Sequence, residues 1–166
     1  MKPRALPPGF KRIRRDRQIH EVVHDTYKMR KKPHEPTICS DCGAVFHEGR
    51  WQRIAAPANA HRERCPACHR IHDKFPAGYV MLEGDFVKAH QTEVTHLLRH
   101  VESREAAEHP LQRIMDVIPG KDGLTVTTTD PHLARALGQA VHDAYRGKLE
   151  FHYNPEQNLL RVHWDR

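Results

Sequence analysis

Residues Ile38–Trp51 read ICSDCGAVFHEGRW, and residues Arg64–His72 read RCPACHRIH. These two stretches hold all four cysteines of the chain, as Cys39-x-x-Cys42 and Cys65-x-x-Cys68 with 22 residues (43–64) between the pairs. Two such pairs at this distance are the thiolate spacing of a four-cysteine zinc site, so zinc is the expected cofactor, held by Cys39, Cys42, Cys65 and Cys68. Gly43 permits a tight turn after the first pair, and Pro66 stiffens the second knuckle. The runs Ala44–Phe46 and Trp51–Ile54 flank Glu48-Gly49-Arg50, which predicts the hairpin of a zinc ribbon over residues 37–78. Ala55–Ala60 reads as a loop. A pair of thioredoxin-like redox motifs is disfavoured, because no strand–helix context is read around either pair. A catalytic zinc would keep an open position and recruit histidine, whereas four cysteines close the shell. His47, His69 and His72 lie close enough in sequence for one to replace a cysteine, but with 15 histidines in the chain that proximity is expected by chance.

Around this centre the chain is polar. Apolar residues make up 38% of 166 positions and the mean hydropathy is -0.77, so a large all-protein core is not expected and a metal staple suits the composition. No apolar run approaches the ~18 residues of a membrane span. The start, MKPRALPPGFKRIRRDRQ, has no signal-peptide apolar region, and Asp16, Glu21 and Asp25 interrupt an organelle-transit pattern. Cysteines in metal spacing then predict a cytoplasmic protein rather than a disulfide scaffold.

The net charge of +6 is unevenly spread. Residues 1–36 carry 11 Lys and Arg against four acidic side chains (+7), residues 37–78 are at +2, and residues 79–166 are at -3. Residues 1–36 are therefore read as a basic arm, extended or disordered over the first ten residues. Ile19, Val22, Val23 and Tyr27 predict a short amphipathic helix over about 16–31, ended by Pro33 and Pro36. Such an arm is either a solvated helix resting on the zinc unit or a phosphate-neutralising segment.

From residue 79 an α+β domain is expected. Tyr79–Glu83 reads as a strand and Phe86–Glu108 as one long helix. Arg113–Ile118 and Leu124–Thr129 form a hairpin around Pro119–Gly123. Asp130 is an N-cap with Pro131 at the first helical position, and that helix runs to Gly147. Leu149–Tyr153 and Leu159–Trp164 form a final hairpin. The order β-α-β-β-α-β-β predicts a ferredoxin-like (split βαβ) sandwich with an extra C-terminal strand.

No catalytic set emerges. Ser40 and Ser103 are the only serines. Asp122, Asp130 and Asp143 have turn, cap and helix-surface explanations. His96 and His100, one helical turn apart, and His20 and His24 are read as surface residues rather than metal ligands. Trp51 between Arg50 and Arg53, with Arg62, Arg64 and Arg70 nearby, suits base stacking and phosphate contact. It equally suits the mini-core of a small ribbon.

The two cysteine knuckles, the following PAGYVMLEG, the preceding HDTYK (His24–Lys28) and GRWQ (Gly49–Gln52) resemble a small bacterial zinc-ribbon family over most of the chain. That family in turn resembles the N-terminal part of the Nmd-type export adaptors of the large ribosomal subunit, over about 37–166. DGLTVT (Asp122–Thr127) and the helix opening at His132-Leu133-Ala134 carry the second likeness. The chain has one site's worth of cysteines where those adaptors have more, and it lacks their later β-barrel domains and export tail. The resemblance therefore implies contact with ribosomal RNA or protein and not nuclear export.

The expected function is a non-enzymatic zinc-ribbon adaptor that binds RNA and associates with the ribosome. Arg12, Arg14, Arg15, Arg17, Lys28, Arg30, Lys31 and Lys32 would engage phosphates, with Arg50, Trp51 and Arg53 as contacts on the ribbon. No membrane and no small-molecule substrate is expected. The alternative is a protein-interaction or transcription and stress regulatory module with a structural zinc and no direct RNA contact.

Overall fold

The computed structural model describes residues 5–19 and 25–166. These residues form two sheets and four helices, with the four cysteines clustered early in the chain.

After a turn at Pro7–Phe10, β1 (Lys11–Ile13) is followed by β2 (Thr37–Ile38), β3 (Val45–His47), β4 (Arg50–Gln52) and β5 (His61–Arg62). Strands β2 to β5 make a small sheet in the order β4-β3-β2-β5, with β2 and β5 parallel. Helix α1 (Pro66–Asp73) starts within the second cysteine pair. The rest is β6 (Gly78–Glu83), α2 (Asp85–Ala89), α3 (Gln91–Glu108), β7 (Ile114–Pro119), β8 (Gly123–Thr128), α4 (Pro131–Tyr145), β9 (Lys148–Asn154) and β10 (Leu159–Asp165).

The large sheet has the order β1-β9-β10-β6-β8-β7. Strand β10 lies between β9 and β6, antiparallel to the first and parallel to the second. The extra strand is thus not an addition at the sheet's edge; it is wedged into the middle. The reason is visible in its sequence: Leu160, Val162 and Trp164 alternate and are fully buried, which only a central strand backed by helices allows. Their neighbours on the helix-covered face are Val80, Leu82, Val126 and Phe151, packed with Leu98 of α3 and Leu133 and Leu137 of α4. Gly138 brings α4 onto this face, since a Cβ there would stand 2.4 Å from a Val162 methyl.

Three expectations change. The long helix over 86–108 is two helices broken at His90, whose ring stacks on Phe86 at 4.2 Å and reaches the Phe86 carbonyl at 2.9 Å. The His90 N–H still donates to the Phe86 and Val87 carbonyls at 3.0 and 3.2 Å, and α2 ends because His90 leaves the helical conformation, at φ -128° and ψ 30°. Second, the described parts of 16–31 are not helical: Arg14–Arg17 and Asp25–Lys28 close as single turns, and Asp25 accepts the Tyr27 backbone N–H at 2.9 Å. An Asx side chain that bonds two residues ahead offers the backbone an alternative to helix. The part of that helix over 20–24, with His20 and His24, lies outside the described residues. Third, described parts of residues 5–36 are tied to the rest of the chain. Strand β1 pairs with β9 at the edge of the large sheet, Ile19 joins the large core, and Tyr27 lies against α1.

Candidate metal centre

The first cysteine pair leaves β2 into a tight turn. Cys39 donates its N–H to the Ala44 carbonyl (2.7 Å) and accepts from Gly43 N–H (3.0 Å), with Gly43 at φ +75°. That left-handed conformation carries little penalty only for glycine. The following hairpin turn is held by Glu35, whose carboxylate accepts the N–H groups of Glu48 and Gly49 at 3.0 Å each.

The second pair sits differently. Cys65 is the N-cap of α1, its sulfur accepting from Cys68 N–H at 3.4 Å, and Pro66 occupies the first turn, where its missing N–H costs nothing. The expectation that neither pair has helix context is therefore corrected for this one. Its sulfurs nevertheless join those of the first pair, all four lying within 4.8 Å of one another and none forming a disulfide.

The donor set fits a metal ion. Tetrahedral zinc with Zn–S bonds of about 2.3 Å sets sulfurs about 3.8 Å apart, and Cys42 Sγ lies 3.9 Å from Cys65 Sγ. Cys39, Cys65 and Cys68 are buried and Cys42 is half-buried. Burial pushes the Cys39 thiol up, but N–H groups of Cys65, Cys42 and Asp41 outweigh it and bring the thiol down to about 7. Burial pushes Cys65 and Cys68 up, opposed at Cys68 by the Arg113 guanidinium. A cluster in which some thiols are reluctant to ionise alone is one that a cation, by supplying the counter-charge, would ionise.

Arg113 is the residue that sequence reasoning missed. It precedes β7, 45 positions from Cys68, and its Nη2 donates to Cys68 Sγ at 3.0 Å. Leu111 packs on the same cysteine cluster, so the linker into β7 closes the centre from the side of the large sheet. No spacing in the chain announces this. Arg53 donates to the Cys42 carbonyl at 2.7 Å, and Arg64 pairs with Asp41 at 2.6 Å, bracketing the first turn. His47, His69 and His72 stay out of the four-sulfur group.

The expected RNA-contact residues fall into separate groups. Arg12, Arg14 and Arg15 line an open cleft of about 720 Å³ beside β1 and α4. Arg12 pairs with Glu150 (3.2 Å) and Arg14 with Asp16 (3.0 Å). Arg17 is exposed nearby in sequence. Lys28, Arg30 and Lys31 are exposed and line a groove of about 410 Å³ with Glu63 and His69 of the cysteine unit. Lys32 pairs with Glu35 at 2.7 Å. Arg50 is exposed, whereas Trp51 is half-buried, set edge-on to Phe46 at 5.5 Å and packed on the cysteine cluster.

The Lys28–Lys31 groove has a built support. Arg70 of α1 is buried, donating to Asp25 Oδ1 at 2.6 Å and to the Phe75 carbonyl at 3.1 Å. Its guanidinium stands 4.6 Å from the Tyr27 ring centre, and the Tyr27 hydroxyl donates to Asp73 at 3.0 Å. Asp25 and Tyr27 thus clip the basic segment to the helix that carries Cys68.

Comparison with protein-family models, with curated proteins and with solved structures finds no match to this chain. Among the described residues no helix is long and apolar enough to cross a membrane.

Proposed function

We propose that the chain is a zinc-stapled RNA-binding adaptor that works at the ribosome in the cytoplasm, and not an enzyme. The metal is zinc: four thiolates and no histidine favour it over harder cations, and a closed tetrahedral shell supplies folding rather than an open catalytic position. In this reading the cysteine unit is a zinc ribbon and the larger unit a split βαβ sandwich with β10 inserted.

The observation that carries the reading is the groove in which exposed Lys28, Arg30 and Lys31 are clipped onto the cysteine-bearing helix through Arg70. Cations presented on a rigid support neutralise phosphates with less ordering cost than cations on a free chain. A titration with single-stranded RNA tests it. With about five phosphate contacts log K falls against log salt with a slope near -3.5, and reversing the charges of Lys28, Arg30 and Lys31 removes about 2 from it. A slope near zero in the wild-type protein would end the RNA reading.

A second reading, a protein-interaction module, is favoured by one fact. Arg12, Arg14 and Lys32 already have carboxylate partners within the chain, which lowers the charge left for RNA. A partner that stays bound after nuclease treatment, with no salt-dependent RNA binding, would select it.

A further inference from the structure

The large sheet is covered by helices on one face only. Strand alternation turns Tyr79 and Met81 of β6, His152 of β9, and Arg161 and His163 of β10 to the opposite face, yet all five are half-buried. The cover is the segment Ala5–Phe10. Phe10 lies over Arg161, and Gly9 comes so close to Asn154 that a Cβ there would stand 2.6 Å from its Nδ2. Between this strap and the sheet is a cavity of about 290 Å³.

The cavity has two kinds of wall. Leu6 and Pro7 of the strap and Met81 of the sheet are apolar, while His152, Arg161 and His163 are polar. The Arg161 guanidinium is 5.1 Å from the Phe10 ring centre and 5.4 Å from that of Tyr79, so aromatic rings hold it in place. Its Nε is buried without a hydrogen-bond partner among the described residues. His163 Nε2 is 2.7 Å from Glu83 Oε2, which fixes that imidazole. Burial lowers the His152 pKa against the pull of Glu150, which favours the neutral imidazole with its one donor and one acceptor.

This chemistry selects its ligand. Glu150 lines the cavity and stays ionised beside Lys148 and Arg12, which sets a fixed negative charge against a phosphate or carboxylate. A wholly apolar guest would leave the buried Arg161 Nε unpaired. A flat heteroaromatic ring with polar atoms on its edge can meet it and the His152 imidazole, with its faces against Leu6, Pro7 and Met81. The volume sits at the small end of ligand pockets, which run from ~300 Å³ upward, and so admits one such ring and little more.

We infer that this cavity is a base-recognition pocket that takes one unstacked nucleobase, from an RNA strand or from a free nucleoside. The pocket rests on the RNA reading only for the RNA source of the base. It would add base recognition to the phosphate contacts of the Lys28–Lys31 groove, a division of labour common in single-strand binding.

The test follows the imidazole nitrogen resonances of His152 and His163 while the full chain is titrated with adenosine, cytidine, guanosine and uridine, and separately with single-stranded RNA ten nucleotides long. Saturable shifts of both residues with the RNA are expected. Met81→Trp, which fills the cavity, should weaken RNA binding about tenfold while leaving the salt slope unchanged. Arg161→Lys, which keeps the charge and loses the planar fork, should weaken it in the same way. Shifts with nucleosides but not with RNA would support the pocket with a free nucleoside as its source and count against the RNA reading. RNA that binds with the expected salt slope but leaves both histidines silent overturns the pocket and leaves the RNA reading standing. Silence in every titration overturns the pocket.

Discussion

The two units of this chain are held together by opposite means. Among the described residues the buried cluster of the large unit contains 20 residues, including Leu82, Leu98, Phe151 and Trp164. The buried cluster of the cysteine unit contains five: Cys39, Ala44, Cys65, Ala67 and Cys68. The second cluster has no fully buried aliphatic side chain larger than alanine; half-buried Trp51 and Leu111 pack on it and Val45 and Phe46 are buried in the adjoining sheet, so the hydrophobic effect has less there to work on. What remains is a set of sulfurs that repel one another once ionised and that a cation would bind together. One unit is stabilised by removing area from water, and the other is arranged so that coordination would stabilise it.

Removing one metal ligand should break this contrast most severely. Cys65→Ser keeps a good N-cap for α1, so its effect isolates metal loss from capping. About 10–16 kcal/mol of apparent metal-binding energy is at stake in such sites. Amide exchange should show residues 37–75 losing protection while Val80, Val126 and Val162 keep theirs. If both units lost protection together, the contrast would be wrong. The same centre has a pH signature. Burial raises the Cys65 and Cys68 thiols, so metal binding must expel protons from them. Affinity therefore falls as pH falls, about 100-fold per unit if two protons leave. A competing-chelator titration at two pH values measures this.

Phe151→Ala is the matching test for the large unit. It should cost about 3–5 kcal/mol, read as a lower midpoint in denaturant, with metal content unchanged. Arg113→Met addresses the joint between the units. Losing a hydrogen bond to a charged group costs about 1.5–3 kcal/mol. Metal should also leave faster, because the Cys68 sulfur loses its donor. Equal metal release rates in variant and wild type would show that Arg113 is only packed there. The smallest effect is expected at Gly138→Ala, where the clash with Val162 costs about 1–3 kcal/mol and improved helix propensity returns about 1.

The cysteine spacing made the centre legible from sequence, because ligand chemistry constrains local spacing and four thiols leave few alternatives. Alternation made β6, β8, β9 and β10 legible, and Asp130-Pro131 marked the start of α4 through capping, with Asp130 accepting from His132 N–H at 2.7 Å. What escaped was set by contacts between distant residues. Nothing local says that Arg113 reaches Cys68, that Arg70 is buried to hold Asp25, or that β10 enters the sheet interior instead of extending its edge. The break at His90 escaped for a different reason: apolar periodicity continues across it, and a ring reaching a carbonyl four residues back leaves that periodicity intact.

The position of β10 also sets an order in time. All four candidate ligands lie between Cys39 and Cys68, so the thiols can gather as soon as α1 has been synthesised, with Leu111 and Arg113 closing over them later. Strand β6 follows directly, but its neighbours are β8 and β10, and its register with β10 joins Gly78 to Leu160. Until those later segments exist, β6 has two unpaired edges and its apolar face lacks the helix that will cover it. Contacts this far apart in sequence close slowly. A growing chain therefore carries a gathered cysteine cluster beside an exposed strand, and both wait for segments that are made later.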